Sequence, residues 1–164
     1  MIESFDYIAD EKTKMLVIGS MPGVASLNAQ QYYAHPRNLF WRFCFEAFDE
    51  SFNLDNPPSY EAKKRFILQH HIGLWDAAHS CIREGSLDTR IKNVVPNDFG
   101  ALFSLYPQID RLLFNGQTAY KLFARAYPDL LAQKEFLVLP STSPANASVP
   151  LDKRRALWFE ALLS

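Results

Sequence analysis

The sequence predicts an α/β protein of three layers, αβα, in which helices cover both faces of a short central parallel sheet of about four strands. Two observations support this class. Short apolar segments lie at about 14–19, 71–76, 110–115 and 135–140, and each precedes a loop that carries Gly, Pro or Asn. Helical patterns separate these segments, and strands that alternate with helices are typical of parallel sheets.

Five helical patterns follow from the spacing of apolar residues. They span about 37–48, 57–70, 97–106, 116–127 and 151–163. Asn56, Pro57 and Pro58 are typical of a helix start, and Gly73 lies just beyond the end of that helix. The polar stretch 78–96 is predicted to be a long loop, and a loop of that length is usually functional or mobile.

Composition limits the class of protein. A chain of 164 residues suits a single domain over 1–164, and 48% hydrophobic residues exclude a disordered chain. The net charge of −1 means that any nucleic acid must be held by a local patch. Cys44 and Cys81 have neither metal-binding nor disulfide spacing, and an iron–sulfur cluster would need about four thiolates. Without a long apolar run or a signal-peptide pattern, we expect a cytoplasmic protein.

The densest chemistry follows the first predicted strand. The sequence reads GSMPG over 19–23 and QYYAHPRNLFW over 31–41. Open α/β folds bind ligands at the carboxyl ends of their strands, where this segment begins. Its mixture of polar and aromatic groups suits a flat ligand that forms hydrogen bonds.

These two segments resemble the first motif of the uracil-DNA glycosylase superfamily, and they look closest to its hypoxanthine-DNA (deoxyinosine) glycosylase branch. The resemblance returns at 73–76, 113–116 and 139–147 and spans about 14–160. It implies a uracil-DNA-glycosylase-like fold and a monofunctional, monomeric enzyme that removes a deaminated base, expected to be hypoxanthine, from DNA without metal or cofactor. Two alternatives stay open: a uracil- or mismatch-specific glycosylase of the superfamily, and a non-catalytic module that binds nucleic acid.

Asn38 is the candidate catalytic residue. Hydrolysis of an N-glycosidic bond needs a positioned water and stabilisation of a positively charged sugar, and an amide can serve both needs without titrating. In the branch that this chain resembles, the catalytic amide lies in the segment matching 35–38. Met21 stands where classical uracil enzymes carry a water-holding carboxylate. The alternative role for Asn38 is to cap the helix that begins near residue 39, and both roles are compatible.

A second group of residues is expected to hold the flipped base. Its members are Ser20, Met21, Tyr33, His35, Phe40 and Asp76. Phe40 matches the base-stacking position of the superfamily, with Tyr33 as a further stacking candidate, although Phe40 also fits the core face of a helix. Asp76 stands where uracil enzymes carry Asn; an ionised Asp accepts hydrogen bonds only, which suits N1–H of hypoxanthine. Its alternative roles are a helix cap or an ion pair with Arg83 or Arg90.

A third group is expected to contact DNA. Its members are Ser141, Ser143, Asn146, Lys153, Arg154 and Arg155. Ser143 matches a phosphate-binding serine of the superfamily, and Ser141 stands where a histidine often stabilises the departing base. An ordinary loop with Ser/Thr turns is the alternative. The three basic residues could form a phosphate patch with Arg37 and Arg42, or only a solvated helix face.

The residue that fills the gap left by a flipped base is not evident from the sequence. The superfamily often carries leucine after the phosphate-binding serine, but this chain has Ala145, which is too short to fill the gap. Asn146, Val149 and Leu151 are the candidates that remain in this part of the chain.

Overall fold

The computed structural model describes residues 1–164 as seven strands and seven helices. In chain order they are β1 (Ile2–Glu3), β2 (Met15–Gly19), α1 (Val24–Ala29), α2 (Phe40–Ala47), α3 (Tyr60–Gln69), β3 (Ile72–Asp76), β4 (Ala78–Ile82), β5 (Lys92–Pro96), α4 (Phe99–Leu105), β6 (Arg111–Asn115), α5 (Gln117–Ala126), α6 (Pro128–Ala132), β7 (Glu135–Leu139) and α7 (Leu151–Leu163). No helix combines the length and the apolar character needed to cross a membrane.

The central sheet has four parallel strands in the order β3-β2-β6-β7. The four predicted strands and the predicted α/β class are therefore confirmed. From β2 the chain goes first to a neighbour on one side, β3, and later to a neighbour on the other side, β6. The strand order thus reverses between β2 and β6, and open α/β sheets form their binding crevice at the carboxyl end of such a reversal.

The two faces of the sheet bury separate apolar clusters. Along β2, Val17 points to a cluster that includes residues of α2, α3 and α7, whereas Leu16 and Ile18 point to a cluster with α4 and α5. All five residues of β2 are buried. Burial on both faces explains why β2, β3 and β6 appear in the sequence as nearly continuous apolar runs, whereas the edge strand β7 is mostly exposed.

The five predicted helices are confirmed, with ends that differ by a few residues. α3 begins later than predicted, because Ser59 caps it by accepting a hydrogen bond from the Ala62 backbone N–H at 3.1 Å. Pro57 and Pro58 lie before this cap. The short helices α1 and α6 were not predicted, since six and five residues are too few to show helical periodicity.

The prediction of a long loop over 78–96 is wrong. β4 and β5 form an antiparallel hairpin, and β1 pairs with the other edge of β4. β4 is only partly buried and β5 is mostly exposed, and their exposed polar residues, such as His79 and Lys92, concealed the strands in the sequence. The hairpin turns through residues 83–91, here called the hairpin tip.

Candidate active site

A cavity of about 910 Å³ opens at the carboxyl edge of the parallel sheet. All four strand ends contribute to it: Gly19 ends β2 and Ser20 follows it, Asp76 ends β3, Asn115 ends β6 and Leu139 ends β7. The structure brings most of the predicted site residues to this one cavity. Those that line it are Ser20, Met21, Tyr33, His35, Asn38, Asp76, Ser141, Ser143 and Asn146.

Asn38 lies in the cavity wall, just before α2. Its side-chain oxygen accepts a hydrogen bond from the Phe40 backbone N–H at 3.0 Å. The backbone N–H of Asn38 donates to the His35 carbonyl at 2.9 Å. The N-cap of α2 is Leu39, so Asn38 holds the start of this helix from one residue before the cap. An amide oxygen has two lone pairs, so the second remains able to accept a hydrogen bond from a water in the cavity.

Asp76, Tyr33 and Gly19 form the polar end of the cavity. The Asp76 Oδ2 and the Tyr33 hydroxyl are both buried without a hydrogen-bond partner. A Cβ at position 19 would collide with Asp76 Oδ1 and would lie 2.7 Å from the Tyr33 hydroxyl oxygen. Glycine is thus required for close approach of these groups. Buried polar atoms without partners are costly, and at a cavity they are the atoms that a polar ligand would satisfy.

The structure does not bring Phe40 to the cavity. Its side chain is 0% exposed and packs in the core with Trp41 and Trp158. The ring of Tyr33 covers it, with 4.5 Å between ring centroids and 38° between planes. Tyr33 lines the cavity together with Tyr32, whereas Phe40 only packs against the ring of Tyr33. Tyr33 has a φ of 52°, in the left-handed region that a bulky residue rarely adopts.

Burial raises the pKa of Asp76 to about 7, and the negative charge of Asp88 adds to this shift while Arg83 opposes it. The predicted ion pair between Asp76 and either Arg83 or Arg90 is absent. Arg83 instead donates hydrogen bonds to the carbonyls of Pro22 and Gly85. Near neutral pH a large share of Asp76 is thus a neutral acid, which can donate one hydrogen bond and accept another, as an amide does.

The raised pKa has a consequence for stability. A neutral Asp76 favours the folded state, so its contribution is complete below the unfolded pKa of 3.8 and is lost as the pH rises through about 7. Asn at this position does not titrate. We expect Asp76→Asn to be more stable than the wild type at about pH 8, by roughly 2–4 kcal/mol, with a difference that shrinks towards about pH 4.

Thermal unfolding across this pH range measures the effect. Asp55→Asn, which changes an exposed carboxylate away from the cavity, is the matched control and should follow the wild-type curve. Parallel pH curves for Asp76→Asn and the wild type would show that Asp76 is ionised in the folded protein.

The loop between β7 and α7 (residues 140–150, the last loop) is held firmly against the sheet. Thr142 and Asn115 form a reciprocal pair, in which the Asn115 amide donates to the Thr142 hydroxyl at 2.9 Å and the Thr142 N–H donates to the Asn115 amide oxygen at 3.0 Å. The Asn146 and Arg154 side chains donate to the Ser141 carbonyl. The last loop is therefore a rigid wall of the cavity.

The hydroxyls of Ser141 and Ser143 form Ser/Thr turns, which the sequence suggested as the alternative to DNA contacts. Ser141 Oγ accepts a hydrogen bond from the Ser143 N–H at 3.1 Å, and Ser143 Oγ accepts one from the Ala145 N–H at 3.2 Å. Both contacts use the hydroxyl oxygen as an acceptor. Each O–H therefore stays available to donate to an anion such as a phosphate.

The three basic residues of α7 differ in their surroundings. Arg155 forms an ion pair with Glu46 at 2.8 Å and packs over the rings of Phe43 and Phe159. Arg154 contacts the last loop, and Lys153 is exposed without an ion pair. None of the three lines the cavity. Arg37, by contrast, is exposed at the cavity, whereas Arg42 is paired with Glu46.

Several cavity residues were not identified from the sequence. The hairpin tip supplies Ser86, Leu87 and Asp88, and Asp88 accepts a hydrogen bond from the Ser20 hydroxyl at 2.8 Å. Their position depends on the fold of a hairpin that the sequence did not reveal. Asn115 could have been found, because it ends a predicted strand at the same sheet edge as Asp76. No group of three or more His, Cys, Asp or Glu side chains is placed to hold a metal ion.

Comparison with known sequences gives matches along nearly the whole chain. Residues 5–163 match the sequence model of the family described as "Uracil DNA glycosylase superfamily". A protein of Methanosarcina acetivorans named "Hypoxanthine DNA glycosylase" is 39% identical over 160 residues, which cover 96% of this chain and 95% of the relative. A protein of the same name from Methanosarcina barkeri is 35% identical over 161 residues, 97% of this chain and 96% of the relative.

Comparison with solved structures agrees. The fold superposes on a solution NMR structure of a candidate uracil DNA glycosylase from Methanosarcina acetivorans with a TM-score of 0.81. The two chains are 34% identical, and the match covers 99% of this chain and 98% of the other.

Proposed function

Because the chain belongs to the uracil DNA glycosylase superfamily, we propose that it is a DNA glycosylase that removes a deaminated base, hypoxanthine in particular, by hydrolysing its N-glycosidic bond. The observation that carries this proposal within the structure is the cavity at the carboxyl edge of the sheet. There Asn38, Asp76 and Tyr33 line the same cavity, and Asp76 Oδ2 and the Tyr33 hydroxyl are buried without a hydrogen-bond partner.

Asp76 would read the edge of the base. Hypoxanthine presents a donor at N1–H beside an acceptor at O6. A neutral carboxylic acid can accept from N1–H with its carbonyl oxygen and donate its proton to O6, so both groups are satisfied by one side chain. This role replaces the expectation that Asp76 acts as an anion that only accepts. The ring of Tyr33 would lie against the flat face of the base, with Phe40 packed behind it.

Asn38 would hold the attacking water. Water adds to C1′ of the sugar, the bond from C1′ to the base breaks, and the bonding electrons leave with the base. The proton that the water loses passes to solvent, and the departing base anion takes one up, so that both products are neutral. The amide oxygen of Asn38 orients the water and stabilises the positive charge that develops on the sugar. The hydrogen bond from the Phe40 N–H fixes the direction of this oxygen before substrate binds.

The products would be a free base and an intact strand with an abasic site. A glycosylase that also cuts the strand forms a Schiff base through an amine. No lysine lines the cavity, and its one cationic side chain is that of Arg37.

Phosphate contacts would come from the two serines of the last loop and from exposed basic residues beside it. Neutralising Arg37 and Lys153 together should weaken binding to an undamaged duplex, and it should reduce the slope of log affinity against log salt by about 0.9 for each lost contact. Fluorescence anisotropy at several salt concentrations gives the slope. Arg155→Gln is the matched control, because Arg155 is already paired with Glu46. An unchanged slope in the double variant would place the phosphates elsewhere.

The proposed activity is tested by incubating the protein with duplexes that carry a single hypoxanthine, uracil or xanthine. Abasic sites are then revealed by alkaline cleavage, and the untreated strand is checked for direct cutting. We expect release of hypoxanthine in preference to the other two bases, and no strand cutting before alkali. Faster release of uracil would make the protein a uracil-directed glycosylase, and release of none of the three would contradict the proposal.

A further inference from the structure

An enzyme that flips a base out of a duplex must fill the gap that the base leaves in the stack. Proteins that open a base step frequently insert apolar side chains, so the side chain best suited to this task is apolar, longer than alanine, exposed, held rigidly, and close to the cavity that takes the base. The last loop contains no such residue. Ala145 is too short, and the Asn146 side chain is bound at both ends, to the Ser141 carbonyl and to the Ser148 hydroxyl.

The two remaining candidates from the sequence also lack one of these properties. Val149 lines the cavity but is half-buried. Leu151, in the first turn of α7, is 40% exposed but does not line the cavity. The side chain that fills the gap must therefore come from another part of the molecule.

Only two large apolar side chains are both exposed and in the cavity lining, Val24 and Leu87. Leu87 is the longer and the more exposed, at 53% against 44%. It lies at the hairpin tip, which carries none of the residues expected to contact DNA, and it lines the same cavity as the last loop.

The hairpin tip is fixed on both sides of Leu87. Ser86 Oγ accepts a hydrogen bond from the Val24 N–H at 2.9 Å, and Asp88 Oδ1 accepts one from the Ser20 hydroxyl at 2.8 Å. The buried guanidinium of Arg83 holds the base of the tip by donating to the Pro22 carbonyl. All three contacts tie the tip to the segment between β2 and α2. Leu87 is thus a rigid apolar projection beside a polar cavity.

We propose that Leu87 is the wedge that enters the DNA stack when the damaged base occupies the cavity. The proposal rests on the proposed glycosylase function. The site that Leu87 would occupy is the gap between the two neighbouring base pairs, whose apolar faces suit an aliphatic side chain. The hairpin tip would thereby take the role that a leucine after the phosphate-binding serine plays in relatives, where this chain has Ala145.

The test compares release of hypoxanthine from a duplex and from the same strand without its complement. A wedge helps only where a stack must be kept open, so Leu87→Ala should lower release from the duplex by about tenfold or more. Release from the single strand should change by less than about twofold, since little unstacking is needed there. Leu87→Met should restore most of the duplex activity. Leu54→Ala, which shortens a leucine that is 61% exposed away from the cavity, is the control.

A second measurement is independent of catalysis. 2-Aminopurine placed next to hypoxanthine becomes fluorescent when it unstacks, so the wild type should raise the signal on binding and Leu87→Ala should not. Three outcomes would overturn the proposal. Leu87→Ala could lose equal activity on the duplex and on the single strand, it could keep the wild-type rate on the duplex, or the loss could occur only in Leu151→Ala. If the wild type unstacks the probe through Leu87 but releases no base, the wedge stands and the proposed hydrolysis fails. If the wild type neither unstacks the probe nor releases base, both fail.

Discussion

Replacement of Asn38 by alanine should lower the release of hypoxanthine from a duplex by at least about a hundredfold, the scale on which enzymes lose rate when one well-placed polar group is removed. The loss should be seen in single-turnover reactions, where the chemical step is measured directly. The reason is that no other group replaces the amide, because the alternative position for a water-holding carboxylate is occupied by Met21.

The hydrogen bond from the Phe40 N–H to the Asn38 side-chain oxygen requires a control, since alanine removes its acceptor. Asn38→Ser keeps an oxygen that can accept this hydrogen bond but has no amide. We expect Asn38→Ser to match the wild type in thermal stability and to be as inactive as Asn38→Ala. Recovery of activity in Asn38→Ser would show that the residue acts only by holding the start of α2 through the Phe40 N–H.

Gly19→Ala should lower base release by about a hundredfold, because displacement of reacting groups by about an ångström can cost this much. The added methyl group would displace Asp76 and the Tyr33 hydroxyl from the polar end of the cavity. These two groups are side-chain ends and can move, so the protein should fold with a loss of only about 1–3 kcal/mol. Single-turnover release and thermal unfolding measure the two effects separately.

Gly100→Ala is the matched control for this substitution. Gly100 lies on α4, away from the cavity, and an added Cβ would meet only Asp98 Oδ1, at an ordinary 3.4 Å. Its activity should equal that of the wild type. Normal base release by Gly19→Ala would mean that Asp76 and Tyr33 do not hold the base.

The sequence was informative where burial alone determines structure. β2, β3 and β6 are almost fully buried because helices cover both sheet faces, and β7 is an apolar edge strand that is mostly exposed, so each could be located to within one or two residues. β4 and β5 were missed because β4 is only partly buried and β5 is mostly exposed, and a half-polar strand with irregular pairing resembles a loop. Everything that depends on the hairpin tip was missed with them, including Leu87 and Asp88.

Within the site, motif and strand-end position identified the residues but not their detailed arrangement. Asn38 and Asp76 were found because each lies where a strand or loop meets the ligand-binding edge of the sheet. The order of the stacked rings, with Tyr33 in front of Phe40, depends on a left-handed backbone at Tyr33 that local sequence does not reveal. The neutral form of Asp76 depends on burial, a property of the complete fold.

The strand order also dictates when the site can form during synthesis. β2 lies at the centre of the sheet, and its partner Arg111–Phe114 emerges from the ribosome almost a hundred residues after Met15. Closing such a long loop is slow and entropically costly, so β2 must wait for its second partner, β6. The last loop, which also lines the cavity, follows later still. A nascent chain therefore carries Asn38 from early on but gains a base-binding cavity only near the end of its translation.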